Sequence, residues 1–396
     1  MKILMLTPYL PYPLLSGGQI RSYNLLKNLS RKHDITLFSF IRKNEEKAHL
    51  PELQKFCRKV VVFKRRPAWD IRNLIISGLT AYPFLVAIYI SHTLRTQVTK
   101  ELQENDYDLI HAETFYVMPN IPKTNIPILL VEQTIEYLGY QTFAQKSRLN
   151  PLKPLLLFDV AKIKFWEKYY WKQASRLVTM SKEDKEFIQN QGARPLKIDV
   201  VANGVDIEFF ERNARQKPEA PIVLFVGNFK WLPNKDAALF LARDIWPRIR
   251  KLKPNARLWI VGANPTQEIL NLQKSPGVTV LGDVPDIRDV FSKASVMLSP
   301  VRNGRGTRYK ILESMAAEVP VVATRLSVEG IAIKPGVHAL VSDEAETLAQ
   351  NTVEVLESPS LQKTLSQNGK KLVAENYNWQ KISKKLDSIY LKLGKS

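Results

Sequence analysis

Short apolar runs, each followed by a stretch with helical spacing, alternate along this chain and begin afresh near residue 222. In the front half they are Lys2–Leu6, Ile35–Phe40, Val60–Phe63, Leu109–Ala112, Ile128–Val131, Leu177–Met180 and Ile198–Ala202. In the rear half they are Ile222–Val226, Arg257–Val261, Val278–Leu281, Val296–Leu298 and Val319–Thr324. Continuously apolar runs mark strands covered on both faces, and strands alternating with helices build parallel sheets. With 396 residues and 45% hydrophobic content the chain is too long for one core. The expectation is therefore an α/β protein of two domains, 1–205 and 206–377. An Asn203-Gly204 turn closes the first, and a polar linker, Glu211 to Ala220, leads into the second.

Composition removes several function classes. The single cysteine, Cys57, supports neither a disulfide framework nor a zinc set. Met1-Lys2 runs directly into a strand, so no secretory signal is read and a cytoplasmic location is expected. The formal net charge of +20 points to an anionic partner: membrane lipid, a polyprenyl phosphate or nucleic acid. From Lys55 to Lys100 there are nine basic residues against the single acid Asp70, around an uncharged run from Asn73 to Leu94. Gly78 and Pro83 split that run into two short helical pieces. They are read first as a buried helix pair, and second as an interfacial patch on the inner membrane face rather than a span. Aromatics and lysines interleave from Leu155 to Trp171, but at helical spacing, which favours core packing over a nucleic-acid surface.

Chemistry concentrates in a few places. Asn303-Gly304-Arg305-Gly306-Thr307-Arg308 runs into a helix carrying Lys310 and Glu313. Glycines admit a ligand close to the backbone, and a new helix start with arginines and a lysine suits phosphate, leaving the carboxylate for sugar hydroxyls. The reading is a nucleotide or nucleotide-sugar site, with Arg308 and Lys310 on the diphosphate and Glu313 on a ribose; a solvated basic loop is the alternative. Gly17-Gly18 follows a proline-stiffened loop at the first helix start, where backbone N–H groups can face a ligand. His111 stands near the carboxyl end of its strand, where open α/β sheets bind ligands, and Glu132 and Glu136 are weaker candidates for acceptor hydroxyls. Asp106-Tyr107-Asp108 lacks a third ligand, and no metal site is expected.

The order of loop, helix, Glu313, Ser314-Met315-Ala316-Ala317 and Pro320-Val321-Val322-Ala323-Thr324 resembles the nucleotide-sugar site of retaining glycosyltransferases of the GT-B fold, family 4. Asn203-Gly204-Val205-Asp206 is similar to the hinge motif of that family. The resemblance covers nearly the whole chain and implies two Rossmann-like domains with parallel sheets facing a central cleft. It further implies that the C-terminal helix, 378–396, returns to brace the first domain. The implied reaction transfers a hexose from a nucleoside diphosphate sugar, with retention, to a glycan or lipid-linked acceptor. No metal or cofactor beyond that donor, and no nucleic acid, is implied. Lys235, Arg308 and Lys310 correspond to diphosphate groups, Gly306, Thr307 and Glu313 to the donor loop and helix, Val284 to the nucleobase loop, and Gly17, Gly18 and His111 to the opposite wall. Two positions depart from the pattern: Arg305 replaces the first of two glutamates, and Asn228 replaces an arginine. These departures keep two rivals open, a non-catalytic GT-B scaffold and a sugar-nucleotide epimerase.

Overall fold

The computed structural model describes residues 1–146, 150–191, 197–211, 215–216, 218–304, 306 and 308–394. The chain divides into two compact units, Met1–Ala202 with Ile382–Ser396, and Asn203–Lys381. In the first unit the strands are β1 (Lys2–Thr7), β2 (Asp34–Ile41), β3 (Lys59–Lys64), β4 (Leu109–Glu113), β5 (Ile128–Glu132), β6 (Arg176–Thr179) and β7 (Ile198–Val200). They form one parallel sheet in the order β3-β2-β1-β4-β5-β6-β7. In the second unit β8 (Ile222–Val226), β9 (Arg257–Val261), β10 (Val278–Leu281), β11 (Val296–Ser299), β12 (Val321–Ala323) and β13 (Leu340–Val341) are parallel in the order β10-β9-β8-β11-β12-β13. Ile3 to Leu6 in β1 and Val223 to Phe225 in β8 are fully buried, as strands covered on both faces must be. Each such Leu or Ile stabilises its sheet by about 1.5–3 kcal/mol.

In both sheets the strand order reverses direction once, between β1 and β4 and between β8 and β11. The loops leaving such neighbours part to opposite faces, and a crevice opens at the carboxyl ends of the strands. The helices that frame these crevices or carry the surface discussed below are α1 (Gly17–Leu29), α2 (Ile71–Leu79), α3 (Phe84–Tyr89), α4 (Glu136–Lys146), α5 (Lys153–Gln173), α6 (Leu232–Phe240), α7 (Tyr309–Ala316) and α8 (Trp379–Leu393). Within the first unit the end of α8 is fixed by the buried Asp387 carboxylate, which accepts from Lys32 Nζ at 2.6 Å and meets His33 Nε2 at 2.9 Å.

Two expectations about helices need correction. The uncharged run folds as α2 and α3, but only α3 is a core helix; Asn73 is the sole buried residue of α2. Asn73 turns inward because its amide donates to the carbonyls of Pro67 and Ala68 and accepts from Arg66 Nε, leaving the apolar side chains of α2 outside. In α5, Ile163, Tyr170 and Trp171 are core residues, whereas Phe158 and Phe165 are exposed. Among the described residues no helix is long and apolar enough to cross a membrane.

Glu167 of α5 is fully buried because it caps α4: its two carboxylate oxygens accept from the backbone N–H groups of Glu136 at 2.7 Å and Tyr137 at 3.0 Å. Nearby, Glu132 Oε1 accepts from Trp171 Nε1 at 3.0 Å, while Oε2 is buried with no hydrogen-bond partner. Burial and then the neighbouring Glu167 charge push the Glu132 carboxyl well above its ordinary range. The proton of this pair sits on Glu132, since both Glu167 oxygens already serve donors. A carboxyl raised in the folded state adds stability that is complete below its ordinary pKa and lost as pH rises through the folded value. Chemical denaturation at neutral and alkaline pH is thus expected to show wild type weakening by up to about 1.4 kcal/mol per pH unit. Glu132→Gln, which keeps the Trp171 acceptor, is expected to flatten that slope; an unchanged slope would place the proton elsewhere.

Candidate functional site

In the second unit the crevice between the ends of β8 and β11 is built on close backbone approach. Gly262 after β9 has φ +145°, and a Cβ there would come within 1.8 Å of the Gly227 carbonyl oxygen, which only glycine permits. The Asn234 side chain rests on Gly227 and donates its amide to the Asn228 carbonyl at 2.9 Å. Its other end, Oδ1, accepts from Lys310 Nζ at 2.9 Å, and the same ammonium lies 4.2 Å from the ring centre of Phe225 in β8. Lys310 on α7 is therefore drawn into the switch point by an amide and an aromatic face, at only 8% exposure. Among the described residues its ammonium makes neither an ion pair nor a second hydrogen bond.

Electrostatics follow from that placement. Burial, with Arg308 adding repulsion and Glu313 opposing it, lowers the Lys310 ammonium to about 7. Burial lifts the Glu313 carboxyl to about 7, against the attraction of Lys310 one turn earlier. Burial also works against the Arg308 guanidinium, which Glu329 partly supports. The loop reaches α7 through Gly304 and Gly306 at φ +90° and +95°, left-handed conformations that L side chains rarely adopt. Arg302, by contrast, is engaged in structure: it pairs with Asp236 at 2.8 Å and covers the Phe240 ring. The result is a buried concentration of positive charge at a helix start, with one acid a turn behind it. That arrangement accepts a polyanion bearing hydroxyls.

The crevice of the first unit is lined by a hydrogen-bonded chain of polar side chains. Tyr9, in the loop after β1, donates to Gln133 Oε1 at 2.9 Å, and Gln133 Nε2 donates to Glu113 Oε2 at 2.6 Å. Glu113 Oε1 lies 3.1 Å from His111 Nε2, and His111 Nδ1 bonds the Tyr390 hydroxyl of α8. Burial pulls the Glu113 carboxyl upward, but His111, the Arg21 guanidinium and the Gln133 amide outweigh it and hold it below its ordinary range. A Cβ on Gly18 would overlap Tyr9 Oη at 1.7 Å, so that glycine is needed to seat the tyrosine.

The expected residues are thus distributed as follows. Lys310, Glu313, Arg308 and Gly306 gather at one crevice, with Lys235 half-buried next to Asn234 on α6 and without an ion pair among the described residues. Thr307 and Arg305 lie outside the described residues. Val284 sits in the loop after β10, an edge strand separated from β8 by β9. Gly17 and Gly18 open α1, capped by Ser16. His111 requires correction: at 0% exposure with both ring nitrogens engaged it offers no surface to a donor, because it lies inside β4, short of its end. Asp108 accepts from the Lys2 backbone N–H at 2.7 Å and serves the sheet. Sequence reasoning missed Phe225 and the Tyr9-Gln133-Glu113 chain, whose only signal was position at or just past the ends of strands, and Asn234, which lies in the first turn of α6 and carried no signal.

Two parallel sheets of this order are two doubly wound α/β units, the second with a cationic crevice at its switch point. Comparison with known proteins agrees: a model of Glycosyltransferase Family 4 matches residues 15–209, and one of Glycosyl transferases group 1 matches residues 220–358. The chain is a glycosyltransferase of the GT-B fold. Among relatives, an uncharacterized 44.6 kDa protein in the cps region of Klebsiella pneumoniae is 20% identical over 391 residues, 96% of this chain and 97% of that one. The UDP-Gal:alpha-D-GlcNAc-diphosphoundecaprenol alpha-1,3-galactosyltransferase of Escherichia coli is 22% identical, over 96% of this chain and 94% of its own. Sucrose-phosphate synthase from Thermosynechococcus elongatus shares the fold at a TM-score of 0.75, with 17% identity over 99% of each chain.

Proposed function

We propose that this glycosyltransferase moves a hexose from a nucleoside diphosphate sugar to a lipid-linked or glycan acceptor in cell-surface polysaccharide synthesis, with retained configuration and without a metal. The observation that carries the reading is Lys310. It is a buried ammonium held by one amide and one ring, beside Arg308 and at a helix start, and the ligand that best satisfies it is a diphosphate. In this reading Lys310, Arg308 and Lys235 stabilise the departing diphosphate, an electrostatic role that grows as the glycosidic bond lengthens. Glu313 accepts from the ribose hydroxyls, Gly306 brings the loop backbone to the donor, and Val284 contributes to the nucleobase side. The E. coli relative, named for UDP-Gal and a diphosphoundecaprenol acceptor, supports this choice of donor and acceptor class.

Incubation with a panel of nucleotide sugars and polyprenyl diphosphate sugars, followed by mass spectrometry, tests the proposal. A product heavier by one hexose is expected; donor isomerisation without acceptor, or binding without turnover, would overturn it. For the nucleotide itself, Glu313→Ala is expected to weaken UDP binding by about 1–3 kcal/mol, the loss of a charged hydrogen bond. Calorimetry reads this directly, and unchanged affinity would remove Glu313 from the ribose.

A further inference from the structure

α2 and α5 present an amphipathic arrangement turned inside out. On α5 the buried side carries the Glu167 carboxylate, while Leu155, Phe158 and Phe165 stand outside at helical spacing, the two phenylalanines 59% and 61% exposed. On α2 and the turn before it, Trp69 at 81%, Ile75 at 50% and Leu79 at 83% are exposed, and a Cβ on Gly78 would meet nothing within 4 Å. The two stripes form one surface. Lys162 Nζ of α5 donates to the carbonyls of Ser77 and Thr80 at the end of α2, at 2.6 and 2.9 Å. Trp166 Nε1 donates to the Ala81 carbonyl at 2.8 Å and stacks on Tyr82.

Charge around this surface is mainly basic, the acid Asp70 being occupied in capping α2 and in meeting Arg72 at 3.9 Å. Arg72 on α2 and Lys153, Lys162, Lys164, Lys168 and Lys172 on α5 flank the apolar stripes. The acids of α5 are turned away: Asp159 accepts from Phe84 N and Ser77 Oγ, and Glu167 caps α4. Lys164, Lys168 and Lys172 follow one another at four-residue spacing, so they repel one another along one helix face. Burial and those two neighbouring charges lower the Lys168 ammonium. An anionic layer relieves the repulsion, and an apolar layer covers the stripes.

We propose that the α2–α5 face of the first unit docks on a membrane surface containing anionic lipid, its aromatic and aliphatic side chains entering the headgroup boundary while the lysines meet the phosphates. Its aromatic residues suit the boundary between water and acyl chains. The proposal is independent of the donor reading, because none of these residues lies at the Lys310 crevice.

The test is sedimentation of the full chain with phosphatidylcholine vesicles, with and without phosphatidylglycerol. Binding to the anionic vesicles, weakened by salt, is expected. The Trp69→Ser/Leu79→Ser/Phe165→Ser variant is expected to lose at least tenfold in partitioning, with UDP affinity by calorimetry unchanged. Each substitution is at an exposed position, and a thermal melt confirms folding; Lys164→Glu supplies a second, charge-only variant expected to lose binding to anionic vesicles alone. Wild type remaining in the supernatant with anionic vesicles at low salt would overturn the proposal, as would equal binding by the triple variant. A lipid-free dimer, seen by sedimentation and abolished by the same substitutions, would assign the surface to a second copy of the chain and overturn it equally.

Discussion

Replacing Lys310 by Ala is expected to lower turnover by about 10²–10³, equivalent to about 2.7–4 kcal/mol of lost stabilisation at the departing diphosphate. Burial sets this magnitude: a cation with 8% exposure acts where water screens little, and its companions Asn234 and Phe225 are uncharged. Binding should also show a pH signature. The free ammonium is held at about 7. A diphosphate beside it restores ordinary basicity, so binding takes up a proton on the alkaline side. Affinity then falls as pH rises from about 7 to about 9, by at most about tenfold per unit. Glu313, lifted to about 7, becomes neutral below that pH and accepts ribose hydroxyls less well, so affinity falls on the acid side too. UDP calorimetry in buffers of different ionisation enthalpy measures the proton uptake. Affinity independent of pH above neutrality would remove Lys310 from the anion site.

His111→Ala is expected to act on stability rather than on donor affinity. The imidazole stands between the Glu113 carboxylate and the Tyr390 hydroxyl, all fully or almost fully buried. Removing it takes away one hydrogen bond of the buried Glu113 carboxylate and leaves the one from Gln133, a loss that costs about 1–3 kcal/mol. The loss should appear as a lower thermal midpoint and earlier release of the end of α8, which Tyr390 and Asp387 fix to the first unit. His111→Gln, able to contact both neighbours, is expected to recover part of it. A His111→Ala protein with wild-type melting and weakened UDP binding would return the histidine to direct donor contact.

How much of a residue's environment is legible beforehand depends on how far along the chain its partners lie. Apolar runs predicted strands at every position from β1 to β12; the central ones, such as β1, β4 and β8, were the plainest, because a strand buried on both faces writes its burial into consecutive residues. Only the two-residue β13 escaped, too short to carry a pattern. The glycine-spaced loop and the Lys310 and Glu313 pair on α7 were legible for the same reason, since left-handed glycines and one helical turn are local facts. The side chain that completes the crevice, Asn234, comes from 76 residues earlier and could not be recognised as a partner before the chain had folded.

The two parallel sheets and the cationic loop that opens α7 follow from residues near one another in the chain, since period, glycine placement and charge order act over short distances. Which face of a helix turns inward was decided only by tertiary structure. Glu167 is buried because α4 begins where its carboxylate can cap two N–H groups, Phe165 is exposed as a consequence, and His111 is internal because α8 brings Tyr390 back across 279 residues. Those outcomes depend on hydrogen-bond partners distant in sequence, and a buried polar group settles wherever such partners satisfy it.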